Sequence, residues 1–187
     1  MALKDMAKSL IGYIRLRMNK VKASVRSIIY VGKDVSIIGG SKMQVGKNVS
    51  IHPCADLWCG GNHFEIGEGS EIGERSRISI VNSMSIGKKV LLSPNVYITD
   101  CDHEYRQVGI PVIDQGTVIN NNRVIIEDGV YIGINSVIVG NVTIGRGSVV
   151  GANSVVTKSI PDYCVAAGVP AKILKKYNTQ TAAWEKV

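Results

Sequence analysis

The sequence predicts an all-β chain wound as a parallel β-helix, on two observations. Ile, Leu or Val returns every six residues, and glycine often follows it. The positions are Val31, Ile37, Val45, Ile51, Leu57, Ile66, Ile72, Ile78, Ile86, Leu92, Ile98, Ile126, Ile132, Ile138, Ile144, Val150 and Val156; eight of these 17 precede a glycine. A helix repeats at 3.6 residues and a half-buried strand at 2, so a beat of six fits neither. A short fixed repeat suits a solenoid in which each coil pairs with the next. Three hexads make one coil, so Ile126 is expected to stack on Ile144, Ile132 on Val150 and Ile138 on Val156.

Residues 1–27 read as an amphipathic helical cap. Leu3, Met6, Ala7, Leu10, Ile11, Ile14 and Met18 share one face at helical spacing, with Lys4, Lys8, Arg15 and Lys20 mostly elsewhere. That face is expected to cover the open first coil, whose strand edges need a lid. The alternative is a helix that rests on an anionic membrane surface. Residues 28–168 form the coil. Branched aliphatic side chains suit stacked strands around a closed interior. The residue four places on is small or aliphatic, as at Val49, Ala55, Ser70, Ser76 and Val90, and fills the same narrow prism. Glycine follows the aliphatic residue where a corner leaves little room. Asn48, Asn95, Asn135, Asn141 and Asn153 recur near corners, and asparagine tolerates left-handed backbone. Residues 169–187 are expected to be a helical tail.

The beat breaks most between Ile98 and Ile126. The excess is a protruding loop over 102–122, and long loops on rigid scaffolds carry function. It opens Thr99-Asp100-Cys101-Asp102-His103-Glu104. His103 among carboxylates is the best catalytic candidate in the chain, since a carboxylate can hold an imidazole in one tautomer. Cys101 falls near a corner and reads as a bystander.

The chain carries 22 Lys and Arg against 15 Asp and Glu, a net charge of +7. Residues 1–27 hold seven Lys/Arg and one Asp; residues 28–157 hold ten and twelve; residues 158–187 hold five and two. The coil body is mildly acidic, which argues against nucleic-acid binding. No apolar run nears the ~18 residues of a membrane span, and no secretory signal is evident. Four cysteines without paired spacing suit a reduced, cytoplasmic setting. His52, Cys54, Cys59 and His63 are zinc-type ligands, but their spacing is irregular for a zinc module and no metal site is expected.

From about residue 45 to 177 the chain resembles the hexapeptide-repeat acyltransferases. Within them it is most similar to the maltose/galactoside acetyltransferase branch and related polysaccharide O-acetyltransferases. The most specific matches are Val130-Tyr131-Ile132-Gly133, the run Val149–Lys158, Ile160-Pro161, and Ala166-Ala167-Gly168-Val169-Pro170-Ala171-Lys172. The resemblance implies a left-handed β-helix with a protruding loop and short terminal helices. It implies an acetyl-CoA-dependent homotrimer, with active sites between neighbouring coils and the loop reaching over the next subunit.

By the resemblance, His103 takes the place of the catalytic histidine; its neighbours Asp100, Asp102 and Glu104 are the candidates to orient it. Tyr131, Ile134, Gly151, Ala152, Thr157, Lys158, Lys172 and Lys175 match the coenzyme A contacts. Lys172 and Lys175 replace arginines and keep the charge but not the bidentate fork. Arg75, Arg77 and Asn95 are the acceptor candidates. Arg75 lies near where the sugar enzymes carry an asparagine, so an anionic or larger sugar is expected. The implied reaction is acetyl transfer to a hydroxyl of a saccharide or surface-glycan precursor, without a metal. Two alternatives stand beside it: N-acetylation of an amino-sugar, and a non-catalytic β-helix scaffold. The expected location is cytoplasmic, at the inner face of the membrane if residues 1–27 touch lipid.

Overall fold

The computed structural model describes residues 3–24, 27–118 and 120–187. Residues 1, 2, 25 and 26 of the N-terminal segment, residue 119 of the loop, and the side chains of Leu3, Lys4, Asp5 and Met6 lie outside that description. The chain is a left-handed parallel β-helix. Its three sheets run along the coil axis, and every pairing within the coil is parallel. The first sheet runs from Lys22–Ala23 to Val142–Ile144, the second from Tyr30–Val31 through Val149–Val150 to Cys164–Gly168, and the third from Ser36–Ile38 to Val155–Val156.

The expected stacking is present: Ile126 pairs with Ile144, Ile132 with Val150 and Ile138 with Val156. A rise of 18 residues holds only in these last coils. Val31 pairs with Ile51 and Ile51 with Ile72, so earlier coils take 20 or 21 residues. The surplus lies at one corner, between the third sheet and the first. The other two corners turn tightly through left-handed residues. Asp34, Cys54, Arg75, Asn95, Asn135 and Asn153 occupy one at φ 55–60°. Asn48, Gly69, Lys89, Gly129, Gly147 and Tyr163 occupy the other. The glycines after the aliphatic residues are needed for space instead. A Cβ on Gly67 would lie 2.4 Å from the backbone of Gly87, and one on Gly73 would lie 2.3 Å from that of Ser93.

The interior is a single column of buried Ile, Val and Leu, with Phe64 and Met84 the bulkiest additions. Each fully buried aliphatic side chain contributes about 1.5–3 kcal/mol. The small residues at the fourth place do more than fill space. Ser70 is fully buried; its hydroxyl donates to Gly87 O at 2.7 Å and accepts from Val90 N–H at 3.0 Å. Ser148 serves Pro161 O and Cys164 N–H in the same way. The serines thus pair backbone groups of the next coil's corner.

Both ends differ from the sequence expectation. The coil begins before residue 28, because Lys22–Ala23 already pairs with Gln44–Val45. The tail is not helical: Ala171–Asn178 and Ala183–Lys186 form an antiparallel extension on the second sheet. The edge left by Cys164–Gly168 offers unpaired backbone, and a strand satisfies it where a helix cannot. Helix α1, Leu3–Met18, covers the first coil, but with its polar and small face. Ser9 Oγ accepts from Ile29 N–H at 3.1 Å and donates to Ser27 O at 3.3 Å. Arg15 donates to Val31 O at 2.6 Å and also to Gly32 O. Gly12 lets the helix approach, since a Cβ there would sit 2.4 Å from Ile29 O. Leu16 is the one large apolar side chain of α1 buried against the coil among those described.

Ser70→Val keeps volume but orphans Gly87 O and Val90 N–H. It should lower stability by about 2 kcal/mol in chemical denaturation, although valine serves at the equivalent place in neighbouring coils.

Candidate active site

Strand pairing on the third sheet sets two outward columns side by side. Asp56, Arg77 and Tyr97 stack in one; Trp58, Ser79 and Thr99 stack in the other. The long loop leaves this sheet after Thr99 and returns at Arg123. It is the extreme case of the extension at the same corner in earlier coils. His103, Thr117 and Asn122 from the loop close over the columns and make a cleft of about 570 Å3.

The loop stem is a short antiparallel ribbon in which His103 faces Thr117. Glu104 N–H donates to Gly116 O at 3.0 Å, and Val118 N–H to Asp102 O at 2.9 Å. Asn82 Nδ2 donates to Asn120 Oδ1 at 3.0 Å and ties the returning strand to the coil. At the tip, Gln115, the last residue of the short helix α2 (Val112–Gln115), bonds Gln107 and Ile110. The imidazole is thus carried on a braced stem at the cleft wall.

The three carboxylates expected to orient His103 are engaged elsewhere. Asp100 is fully buried. One of its oxygens accepts from Val81 N–H at 2.7 Å, and the other from Asn82 and Ser83 N–H at 2.7 and 2.9 Å. It clamps the open corner of the coil that precedes the loop. Asp102 accepts from the backbone N–H of His103 at 2.8 Å, not from its ring. Glu104 binds the Arg106 guanidinium with both oxygens, at 2.8 and 2.7 Å. Those bonds hold its carboxyl down to about 2, so it is an engaged anion at any ordinary pH. Among the described residues, none of the three hydrogen-bonds the imidazole within the chain. Cys101 lines the cleft, but burial and the neighbouring Asp100 push its thiol up. A protonated thiol is a poor nucleophile, in keeping with a bystander role.

Of the acceptor candidates, only Arg77 lines the cleft. Its Nε lies 3.7 Å from Asp56 Oδ2 and its side chain is largely exposed. Arg75 and Asn95 sit at the tight corner between the second and third sheets. There Arg75 Nε donates to Asn95 Oδ1, Asn95 to Asn135, and Asn135 to Asn153, each at 3.1 Å. They are rungs of a corner ladder.

The residues matched to coenzyme A also divide. Thr157 and Lys158 follow the last strand of the third sheet, one coil beyond Val139 and Gly140, which line the cleft. Ile134, Gly151 and Ala152 lie at the far corner of that sheet, roughly 15 Å away by strand rise. Tyr131 stands on the second sheet with its hydroxyl 3.1 Å from Ser93 Oγ, and Lys172 and Lys175 are on the same sheet. One chain does not bring these groups into a single groove.

Two cleft residues escaped the sequence reading: Trp58 and Tyr97. Each is an aromatic at an outward place of the hexad: Trp58 pairs in register with Ile38 and Ser79, and Tyr97 with Arg77 and Val137. Gly60 makes room for the indole, since a Cβ there would meet its ring at 2.4 Å. The zinc-type residues disperse: His52 pairs with Glu71, His63 with Glu65, and Cys59 is buried.

Asp100→Ala leaves three backbone N–H groups unpaired in a buried corner. It should cost about 3–5 kcal/mol of stability by denaturant titration. Glu104→Gln weakens a loop ion pair whose Arg106 end is largely exposed, and it should change the same titration little.

Known proteins match this chain over most of its length. A family model described as bacterial transferase hexapeptide (six repeats) matches residues 123–158, and another, described as hexapeptide repeat of succinyl-transferase, matches residues 65–100. An Escherichia coli (strain K12) protein, whose name assigns it to O-acetyl transfer in lipopolysaccharide biosynthesis, is 34% identical over 167 residues, 87% of this chain and 83% of its own. The galactoside O-acetyltransferase of the same organism is 35% identical over 154 residues, 79% of this chain and 70% of its own. A crystal structure of a variant of AntD, an N-acyltransferase from Bacillus cereus, in complex with dTDP and coenzyme A, superposes with a TM-score of 0.74. It covers 90% of this chain and 91% of that one at 23% identity, a likeness of fold.

Proposed function

The chain belongs to the hexapeptide-repeat acyltransferases, and on that footing we propose that it moves an acetyl group from acetyl-CoA to a hydroxyl of a saccharide or surface-glycan precursor. The observation that carries this reading is the cleft that His103, Arg77, Trp58 and Tyr97 line together. An aromatic side chain offers the flat apolar surface that a sugar ring stacks on. Arg77 suits an acceptor bearing negative charge.

In this reading His103 takes the proton of the acceptor hydroxyl as the oxygen attacks the thioester carbon. The new carbon–oxygen bond forms, the carbon–sulfur bond breaks, and the coenzyme A thiolate recovers the proton from His103. Asp100 acts on His103 only by holding the corner from which its loop rises. Thr157, Lys158, Lys172 and Lys175 suit the anionic end of the donor; Tyr131, Ile134, Gly151 and Ala152 suit its pantetheine arm.

The division of these groups over two sides of the third sheet supports a homotrimer, in which each groove lies between two copies. The loop tip supports it too. Val108 and Ile113 are almost wholly exposed, with Ile110 and Val112 beside them, an apolar patch that suits burial against a neighbour. Among the described residues no helix is long and apolar enough to cross a membrane. Acetyl-CoA as donor supports a cytoplasmic site of action.

His103→Ala should cut acetyl-CoA-dependent release of coenzyme A by about 100- to 10,000-fold with a hydroxyl-sugar acceptor. An acceptor panel of hydroxyl and amino sugars should favour the hydroxyl sugars; a clear preference for amines would move the reading to N-acetyl transfer. Light scattering should give three times the 20.1 kDa chain mass. Ile113→Asp should shift that mass downward and reduce turnover together.

A further inference from the structure

Helix α1 spans the open end of the coil with its apolar stripe turned outward. Leu10, Ile11, Ile14 and Met18 are 61%, 49%, 47% and 78% exposed. At 100° per residue they fall within an arc of about 100°, opposite Gly12 and Leu16, which face the coil. The edge strand explains the orientation. Its free Ile29 N–H donates to Ser9 Oγ and its Val31 C=O accepts from Arg15, so the polar face must point inward.

We propose that this outer stripe docks in the plane of an anionic lipid surface. Four observations select lipid. The stripe is apolar, while the exposed Lys8 and Arg17 flank it and Lys20 follows it, the pattern of an interfacial helix. Residues 1–27 hold seven Lys and Arg against one Asp, which complements acidic headgroups. A second copy of the helix laid on the same stripe would bring like charges together. Among the described residues the stripe also holds four large side chains, well short of the ~1,200 Å2 of buried surface usual in a stable interface.

On the acetyl-transfer reading above, the docking acquires a purpose. Trp58, Arg77 and Tyr97 lie on the second to fourth strands of the third sheet. The cleft therefore stands roughly 5–15 Å from the capped end, at ~4.8 Å per coil. That is within reach of a saccharide carried on a lipid.

The test is vesicle flotation of the full chain, whose readout is independent of acetyl transfer. Wild type should float with phosphatidylcholine vesicles containing about one third phosphatidylglycerol, and not with phosphatidylcholine alone, and added salt should weaken it. Ile11→Asp combined with Ile14→Asp should lower partitioning at least about tenfold with an unchanged thermal unfolding curve, because both residues face away from the coil. Lys8→Glu combined with Arg17→Glu should lower it without touching the stripe. Failure of wild type to float, equal flotation with neutral vesicles, or full flotation by both double variants would overturn the proposal. A fall in oligomeric mass in the Ile11/Ile14 variant would overturn it too, by assigning the stripe to a second copy.

Discussion

Each coil of this protein leaves a row of backbone N–H and C=O groups pointing at the next, and the structure depends on their being paired. In the middle of the chain the next coil pairs them. At the C-terminus an antiparallel strand, Ala171–Asn178, continues the second sheet. At the N-terminus a helix must do it, and a helix has no backbone to spare. Ser9 and Arg15 supply the hydrogen bonds instead. That requirement outweighs the usual rule that the apolar face turns inward. Leu10, Ile11, Ile14 and Met18 are exposed because the coil end needs donors and acceptors more than it needs oil.

The same stacking decides where a site can form. Two corners turn in a left-handed residue that repeats in register from coil to coil, with asparagines bonded to one another along one of them. An insertion there would break the ladder. The third corner is already two or three residues wider in the earlier coils, and it alone carries a long loop. Asp100 closes that corner from beneath, with three N–H groups on a buried carboxylate. The loop stem above it holds His103 against the outward face of the third sheet. Scaffold and site therefore share one cause: uneven corners on an even coil.

Much of this was legible in the residues. The aliphatic hexads located the core and the register of the last coils. The 28-residue gap between Ile98 and Ile126 located the loop, and His103 stood at its foot. Hydrogen-bond partners were not legible, because they depend on contacts 17 to 20 residues apart. Asp100 beside His103 looked like a catalytic pair, yet its carboxylate reaches Val81, Asn82 and Ser83 in the coil before. Arg75 looked like an acceptor contact, yet it stacks on Asn95. Trp58 and Tyr97 gave no motif, and only strand pairing sets them beside Arg77.

Periodicity is a one-dimensional property, and it suffices for a one-dimensional fold. The repeat of six dictates a coil with an aliphatic interior, since any other winding would scatter those side chains into water. Direction is a different matter. Which face of α1 meets the coil, which carboxylate meets which amide, and which outward residues share a cleft all follow from how unequal coils stack. Those choices rest on pairing backbone groups between coils, a constraint that acts across space and leaves little trace along the chain.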